Sequence, residues 1–418
     1  MKIKLLLVAH HLNPDWGSEP LIGWRWATHL QDLVDLHIVT HIRNQPFIES
    51  RPPLNAEIHY VDTEKMAARI NRINNMLWKK TAVVAKSLLE SFALRAFDRA
   101  ATKIAKKLVQ DHKIELIHRV SPISPRIGTT LYRAGLPIVI GPLNGGMQMP
   151  EGFDDVSNRE SNKALALRKF AKLIAPFERN VSQADAILVA TESTRRVLDQ
   201  SVQDEAALIC ENAVIPEMFE PKYDRQGRGL RLLYLGRLLP YKGVQFAIGA
   251  LAQLTDLEGI TLTIVGDGPE RPRLERLAIE QGVADKVKFL GQVPIEEVPK
   301  HMNQCDVFLL PSLRESGGSV ILEAMAAGKP VVVFDHGGPG ETVNKKVGIK
   351  ISATSSQELE AKMSGAIRDL YQNENLREKL AHGARQHIED NFTWTGKIDE
   401  VVAIYEELIN APKNIVAA

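Results

Sequence analysis

Glu315 and Glu323 stand on either side of a glycine pair in the stretch "RESGGSVILEAMAAGKP", residues 314–330. The run follows an apolar strand pattern, "VFLLPS", so Glu315 falls in the loop beyond that strand. Gly317, Gly318, Ser319 and Val320 then open a helix that closes at Gly328 and is stopped by Lys329-Pro330. Glycines without side chains let backbone N–H groups come close to a phosphate, and a helix N-terminus favours an anion. Glu323 lies about one turn inside the helix, where a carboxylate can accept from a pair of ribose hydroxyls. Glu315 would face the far end of the same ligand, so the two carboxylates bracket a nucleotide diphosphate from opposite sides. Taken singly, Glu315 also suits a helix cap and Glu323 an exposed helical position.

A second loop carries complementary charge. In "GRLLPYKGVQFAIGAL", Arg237 and Lys242 precede an apolar-periodic helix that starts near Val244. A guanidinium and an ammonium at a helix mouth make a diphosphate clamp. Two surface cations in an ordinary loop are the other reading.

These loops need strands and helices to hold them. Short β-rich runs alternate with longer helical patterns along the 418 residues. The first half offers "KIKLLLVA", "VDLHIVT", "AEIHYV", "IELIHRV", "LPIVIGP", "DAILVAT" and "AALIC". The second offers "LRLLYLG", "LTIVGDG", "VKFLG", "CDVFLLPS" and "KPVVVFD". Continuous apolar strands separated by helices predict parallel sheets covered on both faces, hence an α/β fold of two doubly wound, Rossmann-like domains. Ligands then bind beyond the carboxyl ends of the strands. The boundaries read as residues 1–211 for the first domain, 212–229 for a Pro-, Gly- and charge-rich linker, 230–392 for the second domain and 393–418 for a helical tail.

"GRLLPYKG" followed by Glu-x7-Glu resembles the donor site of retaining glycosyltransferases of family 4, also called glycosyl transferases group 1, which have the GT-B fold. The stretches "VGDGPERPRLERLA", "VKFLGQVP", "CDVFLLPSLRESGGSVILEAMAAGKPVVVFDHGGPGE" and "NFTW" follow in that family's order. The resemblance covers residues 230–395 and, more weakly, the first half. It implies two domains facing a cleft, with Glu323 on the ribose, Glu315 at the donor sugar, and Arg237 and Lys242 on the diphosphate. The backbone of Gly317, Gly318, Ser319 and Val320 would also meet the phosphate. It places Gly17-Ser18, in "HHLNPDWGSEPLIGWRWA", where the family has a glycine-rich loop, with serine replacing one glycine. His118, in "LIHRVSP", would lie at the reacting sugar; a core histidine is the alternative. Gly145 and Gly146, in "GPLNGGMQMPEGF", would line the acceptor side. At the linker, Asn212-Ala213-Val214-Ile215 departs from a frequent Asn-Gly-Val-Asp.

The bulk properties narrow the function further. A net charge of +1 gives no overall attraction for nucleic acid. Cys210 and Cys305 are the two cysteines, each beside an apolar run, and read as reduced thiols in the cytoplasm. The opening "MKIKLLLVAHHLNP" reads as a first strand rather than a signal peptide. No Asp-x-Asp occurs to bridge a metal to a diphosphate. His37 and His41 are four apart on a strand and do not converge, so no metal site is expected and no cofactor beyond the nucleotide-sugar substrate. Residues 65–110 hold eleven Lys or Arg against Glu90 and Asp98, a local net of 11 − 2 = +9. "NNMLWKKTAVVAKSLL" interleaves apolar residues with Lys79, Lys80 and Lys86. Such a helix suits an anionic membrane surface, which would make the protein peripheral on the inner face and its acceptor lipid-linked. The same stripe also suits a helix packed on the sheet with a solvated cationic face.

The reading is therefore a metal-independent transferase that moves a sugar from a nucleotide-sugar donor to an acceptor hydroxyl in cell-surface glycan or glycolipid synthesis. By the resemblance, the departing phosphate oxygen is the base and configuration is retained. A GT-B epimerase or phosphorylase, or a non-catalytic nucleotide-sugar-binding protein, are the alternatives.

Overall fold

The computed structural model describes residues 2–64, 82–159, 179–221 and 229–411. Its first sheet contains β1 (Lys4–Ala9), β2 (Asp35–His41), β3 (Ala56–Val61), β4 (Leu116–Ser121), β5 (Ile138–Leu143), β6 (Ala186–Val189) and β7 (Ala207–Leu208). They are ordered β3-β2-β1-β4-β5-β6-β7, and every pairing is parallel. The second sheet contains β8 (Leu230–Leu235), β9 (Ile260–Val265), β10 (Val287–Gly291), β11 (Val307–Leu310), β12 (Val331–Phe334) and β13 (Gly348–Ile351), ordered β10-β9-β8-β11-β12-β13 and also parallel. All twelve predicted strands are present. β13, "GIKI", is an additional short edge strand whose Lys350 is exposed.

Five helices position the cleft and the contacts between the domains: α1 (Glu19–Leu30), α2 (Ala82–His112), α3 (Val244–Ala252), α4 (Ser319–Ala326) and α5 (Trp394–Asn410). Strands such as "LLLVA" in β1 and "VVVF" in β12 are apolar on both faces because helices cover both. The helix α3 is buried almost all round for the same reason.

Two segments tie the halves together. Phe153 and Val156, which precede β6 in sequence, are buried in the second domain's core, where Phe153 meets Phe246 and Phe334 edge-on. In the other direction, α5 returns to the first domain. Trp394, Ile398, Val401 and Tyr405, four residues at helical spacing, pack there with Leu5, Leu7 and Trp26. The Thr393 hydroxyl caps α5 by accepting from the Gly396 N–H at 3.2 Å.

Strand order reverses between β1 and β4 in the first sheet and between β8 and β11 in the second. Loops leaving such neighbouring strands diverge to opposite faces and open a crevice at the carboxyl ends. The loops after β1, β8 and β11 are the ones whose residues could bind a nucleotide.

Candidate active site

A cleft of about 690 Å³ opens between the two domains, walled by the loops at both switch points and by the crossover Glu211–Phe219. Gly17, Ser18 and Gly145 reach it from the first domain; Arg237, Lys242, Glu315, Gly317, Gly318, Ser319, Val320 and Glu323 reach it from the second. Gly146 lies in an adjoining recess with Met147, Tyr241 and Arg314. Residues far apart in sequence thus converge, because the strand ends that carry them face one another across the cleft.

The start of α4 is built for backbone donors. Gly318 is the N-cap at φ 45°, a left-handed conformation that favours glycine. At Gly317 any Cβ would collide with the Glu211 carboxylate. No side chain at 317 or 318 screens the backbone where α4 begins, and within the first turn the Ile321 N–H is bonded to the Gly318 carbonyl at 2.8 Å.

Glu315 and Glu323 both line the cleft, and the charges beside them are partly paired. The Lys242 ammonium donates to the Glu315 carboxylate, and the two side chains are only 17% and 14% exposed. Lys242 and Glu315, expected at the diphosphate and at the sugar respectively, are thus in direct contact with each other. Arg237 is exposed at the rim and makes no ion pair among the described residues. Next to that pair, the Arg314 guanidinium stacks over Tyr241 at 4.1 Å. Burial pushes the Glu323 carboxyl up to about 7, opposed by the facing Arg25 guanidinium. Arg25 itself is half-buried, and burial lowers its pKa.

Across the cleft, α1 begins at Ser18 with φ 66° and ψ −142°, backbone that glycine adopts readily and serine does not. Gly23, one turn on, packs against the His11 carbonyl so closely that a Cβ would collide with it. This anchors the helix that carries Arg25.

His118 is not in the cleft. It is 0% exposed on β4, with Nδ1 2.5 Å from the Tyr405 hydroxyl and Nε2 2.8 Å from the Gly141 carbonyl. Its ring also meets Trp26 edge-on. Successive residues of a strand point to opposite faces, and position 118 faces α1 and α5 rather than the strand's end. Burial drops its pKa to about 4, so it is a neutral packing residue. The core reading replaces the active-site one.

Three cleft residues escaped sequence reasoning. Arg25 sits between Trp24 and Trp26, whose apolar rings give no sign of a cleft residue. Asn144 donates to the Glu211 carboxylate, and Glu211 is 2% exposed with its pKa raised by burial. The available signal was position: Glu211 directly follows the apolar "AALIC", at a strand's carboxyl end. It stands at the boundary read between the first domain and the linker, yet Glu211, Asn212, Ala213, Val214 and Ile215 form one wall of the cleft. Lys397 of α5 donates to the Asn212 carbonyl, and burial lowers its ammonium to about 8.

Residues 65–81 and the side chains of 82–91, which hold Lys79, Lys80 and Lys86, lie outside the described residues. Among the described residues, no helix is long and apolar enough to cross a membrane.

Residues 217–387 match the family model described as glycosyl transferases group 1. Those residues form a glycosyl transferases group 1 domain. A glycosyltransferase of Methanocaldococcus jannaschii is 32% identical over 176 residues, 42% of this chain and 44% of that protein. The 2-deoxystreptamine glucosyltransferase of Streptomyces kanamyceticus is 33% identical over 182 residues, 43% of this chain and 46% of that protein. The chain thus spans less than half the length of these two relatives. The crystal structure of Anabaena HepE in complex with UDP superposes with a TM-score of 0.65 at 19% identity, covering 97% of this chain and 100% of that one. At that identity the likeness extends to the fold, which is GT-B: two parallel-sheet α/β domains.

Proposed function

We propose that the protein transfers a sugar from a nucleotide-sugar donor to an acceptor hydroxyl with retention of configuration. Residues 1–211 would form the acceptor side and residues 230–392 the nucleotide-sugar side. One observation carries the reading: the open N-terminus of α4, Glu323 inside it and Lys242 beside it share a single cleft at a topological switch point. That combination supplies backbone donors for a diphosphate, an acceptor for ribose hydroxyls and a cation for the departing charge. The family match over residues 217–387 supports it, and the UDP in the Anabaena HepE complex makes a uridine donor the first to try.

In this reading the leaving phosphate takes the acceptor's proton, and the chain's part is alignment and stabilisation of the leaving group. Glu315 lies at the donor sugar, and Gly145 and Gly146 on the acceptor side. No metal bridges the donor, since the chain has no Asp-x-Asp. The acceptor is lipid-linked and the protein sits in the cytoplasm against an anionic inner membrane face; the charge of residues 65–110 supports this part.

A thermal-shift panel of UDP, GDP and ADP, then of their sugar forms, followed by transfer to acceptor pools, tests the proposal. Stabilisation by one nucleoside diphosphate and transfer that persists in EDTA are expected. Turnover of donor without any acceptor would instead point to an epimerase, and binding without turnover to a non-catalytic role. Flotation with anionic but not neutral vesicles, reversed by salt, tests the membrane part.

A further inference from the structure

The sequence offers no histidine cluster, yet the fold assembles one at the end of the first sheet opposite the cleft. His37 on β2 and Glu57 on β3 are register partners near the strands' amino ends. His112 is the last residue of α2, which runs back from the cleft side to that end. One ligand atom from each of His37, Glu57 and His112 falls within 4.8 Å of the others.

Two of the three separations are too long for hydrogen bonds and a few tenths of an ångström above those of ligands on a shared cation. His37 Nδ1 and His112 Nδ1 lie 3.6 and 3.7 Å from Glu57 Oε2. Hydrogen bonds of this kind close to about 2.7–2.9 Å. Two ligands on one tetrahedral zinc, each about 2.0–2.1 Å from the metal, are separated by roughly 3.3–3.4 Å. His37 is 5% exposed, and its Nδ1 is buried without a hydrogen-bond partner. That is a cost the fold bears unless something occupies the space.

The surroundings agree. The His59 ring stacks on His37 with centroids 5.9 Å apart and planes 5° apart, and its Nε2, also buried and unpartnered, lies 3.5 Å from Glu57 Oε1. The cluster lies at the C-terminal end of a 31-residue helix, where the peptide dipoles favour a positive ion. Lys4, a neighbouring cation, is turned to the His112 carbonyl at 3.1 Å and to Asp35 at 3.8 Å.

We propose that His37, Glu57 and His112 bind a divalent transition-metal cation, zinc first, at this end of the first sheet. Two imidazoles and one carboxylate suit zinc, cobalt or nickel and not magnesium or calcium. The fourth position is left to solvent. The site is remote from the donor cleft and separate from the proposed metal-independent transfer.

Chelator-stripped full-length protein titrated with Co²⁺, followed by its d–d absorption and by calorimetry, tests this. One equivalent should bind, be displaced by Zn²⁺ and ignore Mg²⁺. Glu57→Gln and His112→Ala should each weaken binding at least about tenfold, with the circular dichroism spectrum and the UDP thermal shift unchanged. His301→Ala, at a histidine outside the cluster, should bind as the parent does. Glu57→Gln changes one exposed group, so it stays informative should His112→Ala fold poorly. No Co²⁺ or Zn²⁺ bound at micromolar metal, or undiminished binding in Glu57→Gln, would overturn the site.

Discussion

Lys242 and Glu315, 73 residues apart, meet in an ion pair at the cleft wall. In the proposed function this pair would preset the cleft, with the ammonium neutralised until a diphosphate competes for it. A donor's phosphates would draw Lys242 away and leave the Glu315 carboxylate turned toward the sugar. The two residues are then coupled, and their substitutions should not act alike.

Lys242→Ala removes a charged hydrogen-bond donor and leaves Glu315 without its cation. UDP affinity should fall by about 1.5–3 kcal/mol, roughly ten- to hundredfold. Glu315→Ala frees Lys242 for the diphosphate, so UDP affinity should hold or rise while transfer slows at least about tenfold. Calorimetry with UDP alongside turnover assays separates the two, and equal losses of UDP affinity in both variants would refute the coupling.

Much of this arrangement was legible because doubly wound folds obey strict rules. Apolar runs of four to seven residues located the strands, and the strand-end rule then pointed to Arg237, Lys242, Glu315 and Glu323 before any coordinates. Side-chain direction was not legible. His118 and Arg119 are adjacent on β4 and equally plausible by position, yet the pleat sends one toward α5 and the other toward the Ile127 carbonyl. Glu211 was missed because it is the last residue before a turn-rich stretch that reads as linker, whereas the chain there is pinned by the Val214 N–H to the Phe392 carbonyl at 2.9 Å. The histidine cluster was invisible because its members come from three elements joined by strand register and helix return.

Ser18 holds backbone angles that suit glycine at the mouth of α1. Ser18→Gly relieves that strain, and a hydroxyl that makes no capping bond is all it removes. Stability should rise by about 1 kcal/mol, the low end of the cost of such conformations, because the greater freedom of the unfolded glycine chain offsets part of the gain. Urea denaturation checks it; a loss of stability would show that the serine is favourable where it stands.

His118→Ala should act on stability rather than chemistry. It opens a cavity beside Trp26 and strips the Tyr405 hydroxyl and Gly141 carbonyl of their partner. The expected cost is about 2–4 kcal/mol, with turnover per folded molecule unchanged. Because the ring is held near a pKa of 4, against 6.5 ordinarily, the unfolded chain takes up the proton first. This contribution is complete above about 6.5 and is lost as pH falls toward 4. The variant's stability should depend less on pH across that window. A selective loss of turnover in fully folded His118→Ala would contradict the core placement.

Glu323 titrates in the opposite sense. Its folded-state value of about 7 exceeds the ordinary 4.5, so between those values the folded chain holds a proton that the unfolded chain has released. Stability therefore declines as pH rises from 4.5 to about 7 and levels off above. Glu323→Gln lacks this component, so the parent should lose stability relative to the variant across that interval. Ligand binding reverses the sign, since ribose hydroxyls donate best to an ionised carboxylate. UDP affinity of the parent should thus climb as pH passes through about 7. UDP's own ionisation affects both proteins equally, and the difference between them isolates Glu323. Arg25→Ala should push the midpoint higher, because the guanidinium facing Glu323 favours its charged form. Parallel pH profiles of UDP affinity for parent and Glu323→Gln would remove this carboxylate from the ribose site.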